Sequence, residues 1–147
     1  MKKALKWIIG IVVVLALIGS CMGGGDNNSS TDSKKEAPPK TYTEISATAL
    51  IDAAKANAAK AKQDYNGKDL KIVDGVVGNI DSDGKYFVVN DPAKGFEIMH
   101  ISVQPTNSDQ KKSFANLVKD KPITIYGTVS DVGDIMGIKI KLDKFEQ

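Results

Sequence analysis

Two long apolar runs with a glycine at the same position constrain the fold of this 147-residue chain most strongly. Residues 73–80 and 125–132 share Val or Ile, Gly, Val, and Ile or Val at equal spacing. Both runs are rich in β-branched residues, which are typical of strands. A glycine inside a strand marks a bulge or a sharp bend. Two long paired strands that bend at Gly75 and Gly127 are what a small closed barrel needs in order to curl, especially if these glycines have positive φ.

Turn signals divide the rest of the chain into short elements. Ser82-Asp83-Gly84 and Asp91-Pro92 are typical of turns, and the strands predicted around them cover residues 70–81, 86–89, 96–103, 123–132 and 138–145. Ser46 is a good N-cap for an alanine-rich helix that runs to Tyr65, before a stop at Asn66-Gly67. A second, short helix is predicted after Asn107.

The order of these elements predicts the fold class. Three strands, a short helix and two further strands follow one another as in an OB-fold barrel. We therefore predict a mainly β domain: a five-stranded OB-fold barrel with a leading α-helix and a short helix between strands three and four. Another small barrel or a β-sandwich is the alternative.

The glycine and aliphatic pattern resembles a known family. Tyr65-Asn66-Gly67-Lys68 after the alanine-rich helix, the Gly75-x-Val77-x-x-Ile80 segment and Gly127-x-Val129 are similar to the tRNA-anti-like OB-fold family, over about residues 44–145. The resemblance implies an OB fold and a bacterial envelope protein, often a lipoprotein, and it supplies no catalytic residues. The family often has a cysteine in strand three, where this chain has Met99-His100-Ile101. No property of the family that depends on this cysteine is therefore expected of this chain.

Residues 1–20 are predicted to be a lipoprotein signal peptide. Three lysines precede residues 7–18, which are apolar apart from a neutral glycine. Twelve helical residues rise only about 18 Å, which is short of a bilayer core of about 30 Å. Ile18-Gly19-Ser20-Cys21 resembles the bacterial lipobox, in which a diacylglycerol alkylates the cysteine thiol before cleavage. We expect lipidation at Cys21, with palmitate-type acyl chains. An ordinary N-terminal membrane anchor is the alternative.

A polar linker separates Cys21 from the predicted domain. Residues 21–40 are rich in Gly, Ser, Asn, Asp and Pro, and they lack the aliphatic side chains that a core requires. We interpret them as a disordered tether and residues 41–147 as the OB-fold-like domain. The expected location is the cell membrane or cell envelope, with the domain lipid-anchored on the extracytoplasmic side and the membrane as its first partner.

Composition argues against several classes of function. All 20 basic residues are lysines, and residues 41–147 carry 14 lysines against 15 acids, so nucleic acid is not the expected partner. One histidine and one cysteine exclude a His-rich or Cys-rich metal site and an internal disulfide. Asp81-Ser82-Asp83-Gly84 begins like a calcium loop, but Pro92 stands at its twelfth position. No metal and no cofactor are predicted.

Tyr86 and His100 are the candidate ligand-contacting residues. Both face outward on strands two and three if Phe87 and Val89 point into the barrel. No nucleophile motif accompanies His100, so no catalytic residue is predicted and the protein is not expected to be an enzyme. The expected function is a non-catalytic binding or interaction module for a small ligand, a glycan or an envelope protein. The alternatives are an oligonucleotide-binding OB protein and an envelope enzyme that uses His100.

Overall fold

The computed structural model describes residues 39–94 and 97–147. The predicted signal peptide, Cys21 and the tether as far as residue 38 lie outside the described residues. Within the described ranges, no helix is both long enough and apolar enough to cross a membrane.

Six strands and three short α-helices make up the domain. In chain order they are β1 (Thr43–Ser46), α1 (Ala47–Ala56), α2 (Ala58–Tyr65), β2 (Asp69–Ile80), β3 (Phe87–Asn90), β4 (Ile101–Gln104), α3 (Ser108–Ser113), a 3-10 turn (Phe114–Asn116), β5 (Pro122–Val132) and β6 (Ile138–Glu146).

Five of the strands close into a barrel. The order of pairing is β2-β3-β4-β6-β5, and β2 also pairs with β5, which completes the ring. β4 and β6 are parallel, whereas the other neighbours in the ring are antiparallel. Helix α3 lies between β4 and β5, the third and fourth barrel strands. The predicted OB-fold barrel, with its leading helix and its short helix in this position, is confirmed.

Alternate residues of the strands fill the barrel. Phe87 packs edge-to-face on Phe114 with ring centroids 4.8 Å apart, and both side chains are almost fully buried. Leu50 and Ile51 of α1 belong to the same core. Besides Phe87, the strand residues of this core are Leu70, Ile72, Val77, Val89, Ile101, Val103, Ile123, Ile125, Val129, Val132, Ile138, Ile140 and Leu142.

The two mid-strand glycines lie beside bulges, as expected. Glycine is required there by close packing and not by a positive φ. The β2–β5 register shifts between Ile72 and Gly75, and the β5–β6 register shifts between Tyr126 and Gly127. Neither glycine has a positive φ; Asp74, next to Gly75, has the left-handed conformation at 58°. Glycine is needed because a Cβ at position 75 would overlap Cγ1 of Val89, and one at position 127 would overlap the carbonyl oxygen of Lys141.

Three details of the predicted elements are wrong. The first helix is broken at Asn57, whose extended backbone separates α1 from α2. The third barrel strand begins at Ile101 and not at residue 96, because β3 ends at Asn90, opposite His100, and offers residues 97–99 no partner. The short strand β1, which runs parallel to β2 outside the ring, was not predicted.

Candidate functional site

The outer face of β3 and β4 forms the floor of a groove of about 860 Å³. We call it the β3–β4 groove. Its lining residues are Val76, Gly78, Asn79, Tyr86, Val88, Asn90, Asp91, Pro92, His100, Ser102, Gln104, Lys119, Asp120, Met136 and Lys139. A groove of this size is within the usual range for a ligand site.

Strand alternation decides which side chains reach the groove. Phe87 and Val89 are fully buried in the barrel, so Val88 between them faces outward. Val88 lies opposite Ser102 in the β3–β4 pair. When this register is continued in both directions, Tyr86 stands beside Gln104 and Asn90 beside His100.

Tyr86 and His100, the two residues predicted from the sequence to contact a ligand, both line this groove at different positions along the strands. Tyr86 and His100 are each half-buried. The residue pairs Tyr86–Gln104 and Asn90–His100 are four residues apart along the strands, or about 13 Å at about 3.3 Å per residue. The structure therefore brings them to one face without bringing them into contact. That the face binds a ligand stays a prediction, and Cys21 lies outside the described residues.

Two glycines allow the groove wall to form. Gly137 has φ of +75°, and a Cβ there would overlap the carbonyl oxygen of His100 and lie 2.9 Å from its backbone nitrogen. The β5–β6 loop, with Met136, therefore lies directly against His100, and the Ile138 N–H donates to the His100 carbonyl at 3.0 Å. At Gly78, the missing Cβ leaves room for the carboxamide of Asn90, whose Nδ2 would be 2.5 Å away.

Asp91 is a buried carboxylate at the edge of the groove. Its Oδ1 accepts hydrogen bonds from the Thr48 hydroxyl and the Ala93 N–H, both at 2.9 Å, and the residue is 2% exposed. Burial acts to raise the pKa of Asp91, but these two hydrogen bonds and the charge of Lys94, 3.5 Å from Oδ2, outweigh it and hold the pKa below its ordinary value. Asp91 thus joins α1 to the turn after β3 as a carboxylate anion.

The charges around the groove balance one another. Lys139 lies 3.6 Å from Asp131, and Lys94 bridges Asp91 and Asp52. Lys119 is followed directly by Asp120. Within residues 39–94 and 97–147, no three His, Cys, Asp or Glu side chains are grouped so that they could hold a metal ion.

Neutral polar side chains are the part of the groove that sequence reasoning missed. Asn79, Asn90 and Gln104 line it together with the apolar Met136, a residue that is 67% exposed. The alternation that starts at Tyr86 predicts Asn90 on the same face, and the one that starts at His100 predicts Gln104. Asn79 comes from β2 and Met136 from the β5–β6 loop, and barrel closure places both beside the groove.

One comparison with a solved structure agrees with this architecture. A search of curated proteins gives no match. A lipoprotein from Klebsiella pneumoniae, described as a candidate nucleic acid-binding protein, is similar in structure with a TM-score of 0.53 and 23% identity, over 71% of this chain and 90% of that one. Asparaginyl-tRNA synthetase from Pyrococcus horikoshii matches with a TM-score of 0.42 and 17% identity, over 56% of this chain and 20% of its own.

A family model covers most of the sequence. The tRNA_anti-like model matches residues 1–139, which include all of the barrel except most of β6. The ring order, with its parallel β4–β6 pair and its helix between β4 and β5, is that of an OB fold. This chain belongs to the tRNA_anti-like family.

Proposed function

We propose that this protein is a membrane-tethered binding module that holds a ligand in the β3–β4 groove without acting on it chemically. In this proposal a lipid on Cys21 anchors the chain outside the cytoplasm and residues 22–40 form the tether. The observation that carries the binding role is the groove itself, which is concave, about 860 Å³ in volume and lined by both apolar and polar side chains.

The surroundings of His100 favour binding over catalysis. A general base needs a nucleophile or an orienting acid within hydrogen-bond reach. Among the described residues, the imidazole of His100 makes no hydrogen bond, and neither does the nearby hydroxyl of Ser102. A ligand contact is the role that fits this histidine best.

An oligonucleotide is the alternative occupant. The name of the Klebsiella lipoprotein and the general use of OB-fold faces for oligonucleotides favour it. The chain has no arginine, and its domain carries slightly more acidic than basic residues, which is the opposite of a phosphate-binding surface.

Thermal unfolding of the full chain tests the binding role. The protein, in zwitterionic micelles, is screened against oligosaccharides, oligonucleotides and peptides, and Ser102→Trp is used to fill the groove. A ligand at about 100 times its Kd stabilises the native state by about 2.7 kcal/mol, so Tm should rise for the wild type but not for Ser102→Trp. Gln63→Trp on the exposed face of α2 is the matched control and should respond like the wild type. A Ser102→Trp variant that responds fully to every ligand would place the site elsewhere, and no response in any class would reject the binding role.

A further inference from the structure

Six polar side chains of the β3–β4 groove make no hydrogen bond to another of the described residues. Elsewhere in residues 39–94 and 97–147, several half-buried polar side chains, such as Thr48, Gln110 and Ser130, are hydrogen-bonded, whereas Thr124 is not. No hydrogen bond within the described residues engages the side chains of Asn79, Asn90, Ser102, Gln104, Tyr86 or His100. Hydrogen-bonding capacity is therefore concentrated in one concave site and left free there.

Most of the side chains with this free hydrogen-bonding capacity are uncharged carboxamides and hydroxyls. Carboxamides and hydroxyls both donate and accept hydrogen bonds, whereas lysine only donates and a carboxylate only accepts. The charged groups of the groove are largely compensated, Lys139 by Asp131 and Asp91 by Lys94. A ligand that carries many hydroxyls matches such donor–acceptor pairs, and a phosphate chain does not.

The apolar part of the groove fits the same ligand. Tyr86, Val88 and Met136 provide an aromatic ring and aliphatic contacts beside the amides of Asn90 and Gln104. A sugar ring has C–H faces that pack on such surfaces while its edge hydroxyls make hydrogen bonds. A peptide that binds by strand addition would instead need an open strand edge. Both β3 and β4 already have two strand neighbours, so the groove floor offers none.

From this combination we infer that the β3–β4 groove recognises a neutral, hydroxyl-rich oligosaccharide. The inference rests on the proposed binding function and names the ligand class for that site. The backbone positions of Tyr86 and His100 are about 13 Å apart along the strands, which is longer than a single sugar ring. We therefore expect an oligosaccharide to bind more tightly than a monosaccharide.

A glycan array that carries both neutral and sulfated or sialylated structures tests the inference. The probe is the full chain, in a zwitterionic detergent without a sugar head group, and titration calorimetry follows on the strongest glycan and on a 12-mer of thymidylate. Neutral glycans should bind with a Kd that changes less than about twofold between about 50 and 200 mM salt. A ligand held through six to ten phosphates would lose about 10³–10⁵ in affinity over that range.

Variants locate the binding to the groove. Gln104→Ala and Asn90→Ala should each weaken glycan binding by about tenfold, because each removes hydrogen bonds to ligand hydroxyls. Tyr86→Phe should keep most of the affinity and Tyr86→Ala should lose it. The matched control, Gln63→Ala on α2, should bind within about twofold of the wild type.

The contrary outcomes separate this inference from the proposed function. Binding of the thymidylate 12-mer or of anionic glycans alone, blocked by Ser102→Trp, would overturn the neutral-glycan inference and leave the binding role intact. Neutral glycans that bind equally well to Gln104→Ala, Asn90→Ala and Tyr86→Ala would also overturn it, because the groove would not be their site. An absence of binding in every class would overturn both.

Discussion

At the scale of single residues, close packing rather than backbone conformation makes Gly75 and Gly127 necessary. At Gly127 the obstacles are the carbonyl oxygen of Lys141 and Cγ2 of Ile140, the latter 2.6 Å from an added Cβ. At Gly75 the obstacle is a methyl group of the fully buried Val89. A backbone oxygen held in a strand pair moves less easily than a side-chain methyl, so the two positions should differ in tolerance.

We therefore expect Gly127→Val to destabilise the protein more than Gly75→Val. Overpacking a core usually costs about 1–3 kcal/mol, and Gly127→Val should reach the upper end of this range or exceed it. Thr124→Val, at a half-buried position of β5, is the matched control and should change the free energy of unfolding by less than about 0.5 kcal/mol. Urea unfolding measures all three. Equal or increased stability in both glycine variants would mean that neither close approach constrains the barrel.

Asp91 should make stability depend on acidic pH. The pKa of Asp91 is lower in the folded protein than its ordinary value, so its contribution is complete above the ordinary carboxyl range. It is lost as pH falls from there through the depressed folded-state pKa. Asp91→Asn should cost about 1–3 kcal/mol at pH 7, and the gap to the wild type should narrow at pH 3. Urea unfolding at the two pH values checks this, with the exposed Asp134→Asn as the control. A gap of constant size would show that the ionised form of Asp91 has no special role.

At the scale of elements, Asn57 connects helices α1 and α2. Its N–H donates to the carbonyl of Ala53 at 3.1 Å, which ends α1, and its Oδ1 accepts from the N–H of Lys60 at 3.0 Å, which begins α2. One residue therefore caps both helices.

Removal of this cap should be measurable. Asn57→Ala should destabilise the domain by about 0.5–2 kcal/mol, because the first N–H groups of α2 lose their side-chain acceptor. Gln63→Ala, on the exposed face of α2, should remain within about 0.5 kcal/mol of the wild type. Urea unfolding followed by circular dichroism gives both values. A neutral Asn57→Ala would indicate that water replaces the side chain at no cost.

The elements also show where sequence reasoning succeeds. Long amphipathic strands such as β2, β5 and β6 were predicted nearly to their ends, because burial on one face fixes their pattern. β1, with only four residues, carries too little pattern to be recognised. Tyr86 and His100 are the only residues of the groove that were predicted individually to contact a ligand, since alternation along one strand is local. Lys119 and Met136 come from loops, and barrel closure places them beside the groove.

At the scale of the whole molecule, the first described residues fasten onto one side of the barrel. Lys40 Nζ lies 2.8 Å from Oδ2 of Asp143, the Tyr42 hydroxyl donates to the same oxygen at 3.1 Å, and the Tyr42 ring packs edge-to-face on Tyr126. Tyr126 belongs to β5, the ring strand that neighbours neither β3 nor β4. The chain therefore joins the barrel away from the groove, which leaves the groove unobstructed by these residues.

The proposed anchor has a direct chemical test. We expect the detergent-extracted protein to have lost residues 1–20 and gained acyl mass on Cys21, because the lipobox cysteine is the acceptor of the diacylglycerol. Intact-mass spectrometry of the membrane fraction measures this. Cys21→Ser should keep its leader and gain no acyl mass. An unmodified thiol with the leader attached would reject the anchor.

The place of β6 in the ring means that the barrel cannot close before its last strand is present. β6 is the last barrel strand along the chain, yet it lies between β4 and β5 and pairs with both. In a chain that is synthesised from the N-terminus, β4 and β5 therefore cannot pair with β6 until Ile138–Glu146 has been made. Pairing between distant segments is also slow. For a protein exported as we propose, this requirement leaves the barrel open, and the chain able to pass through a narrow channel, for as long as β6 is still being made.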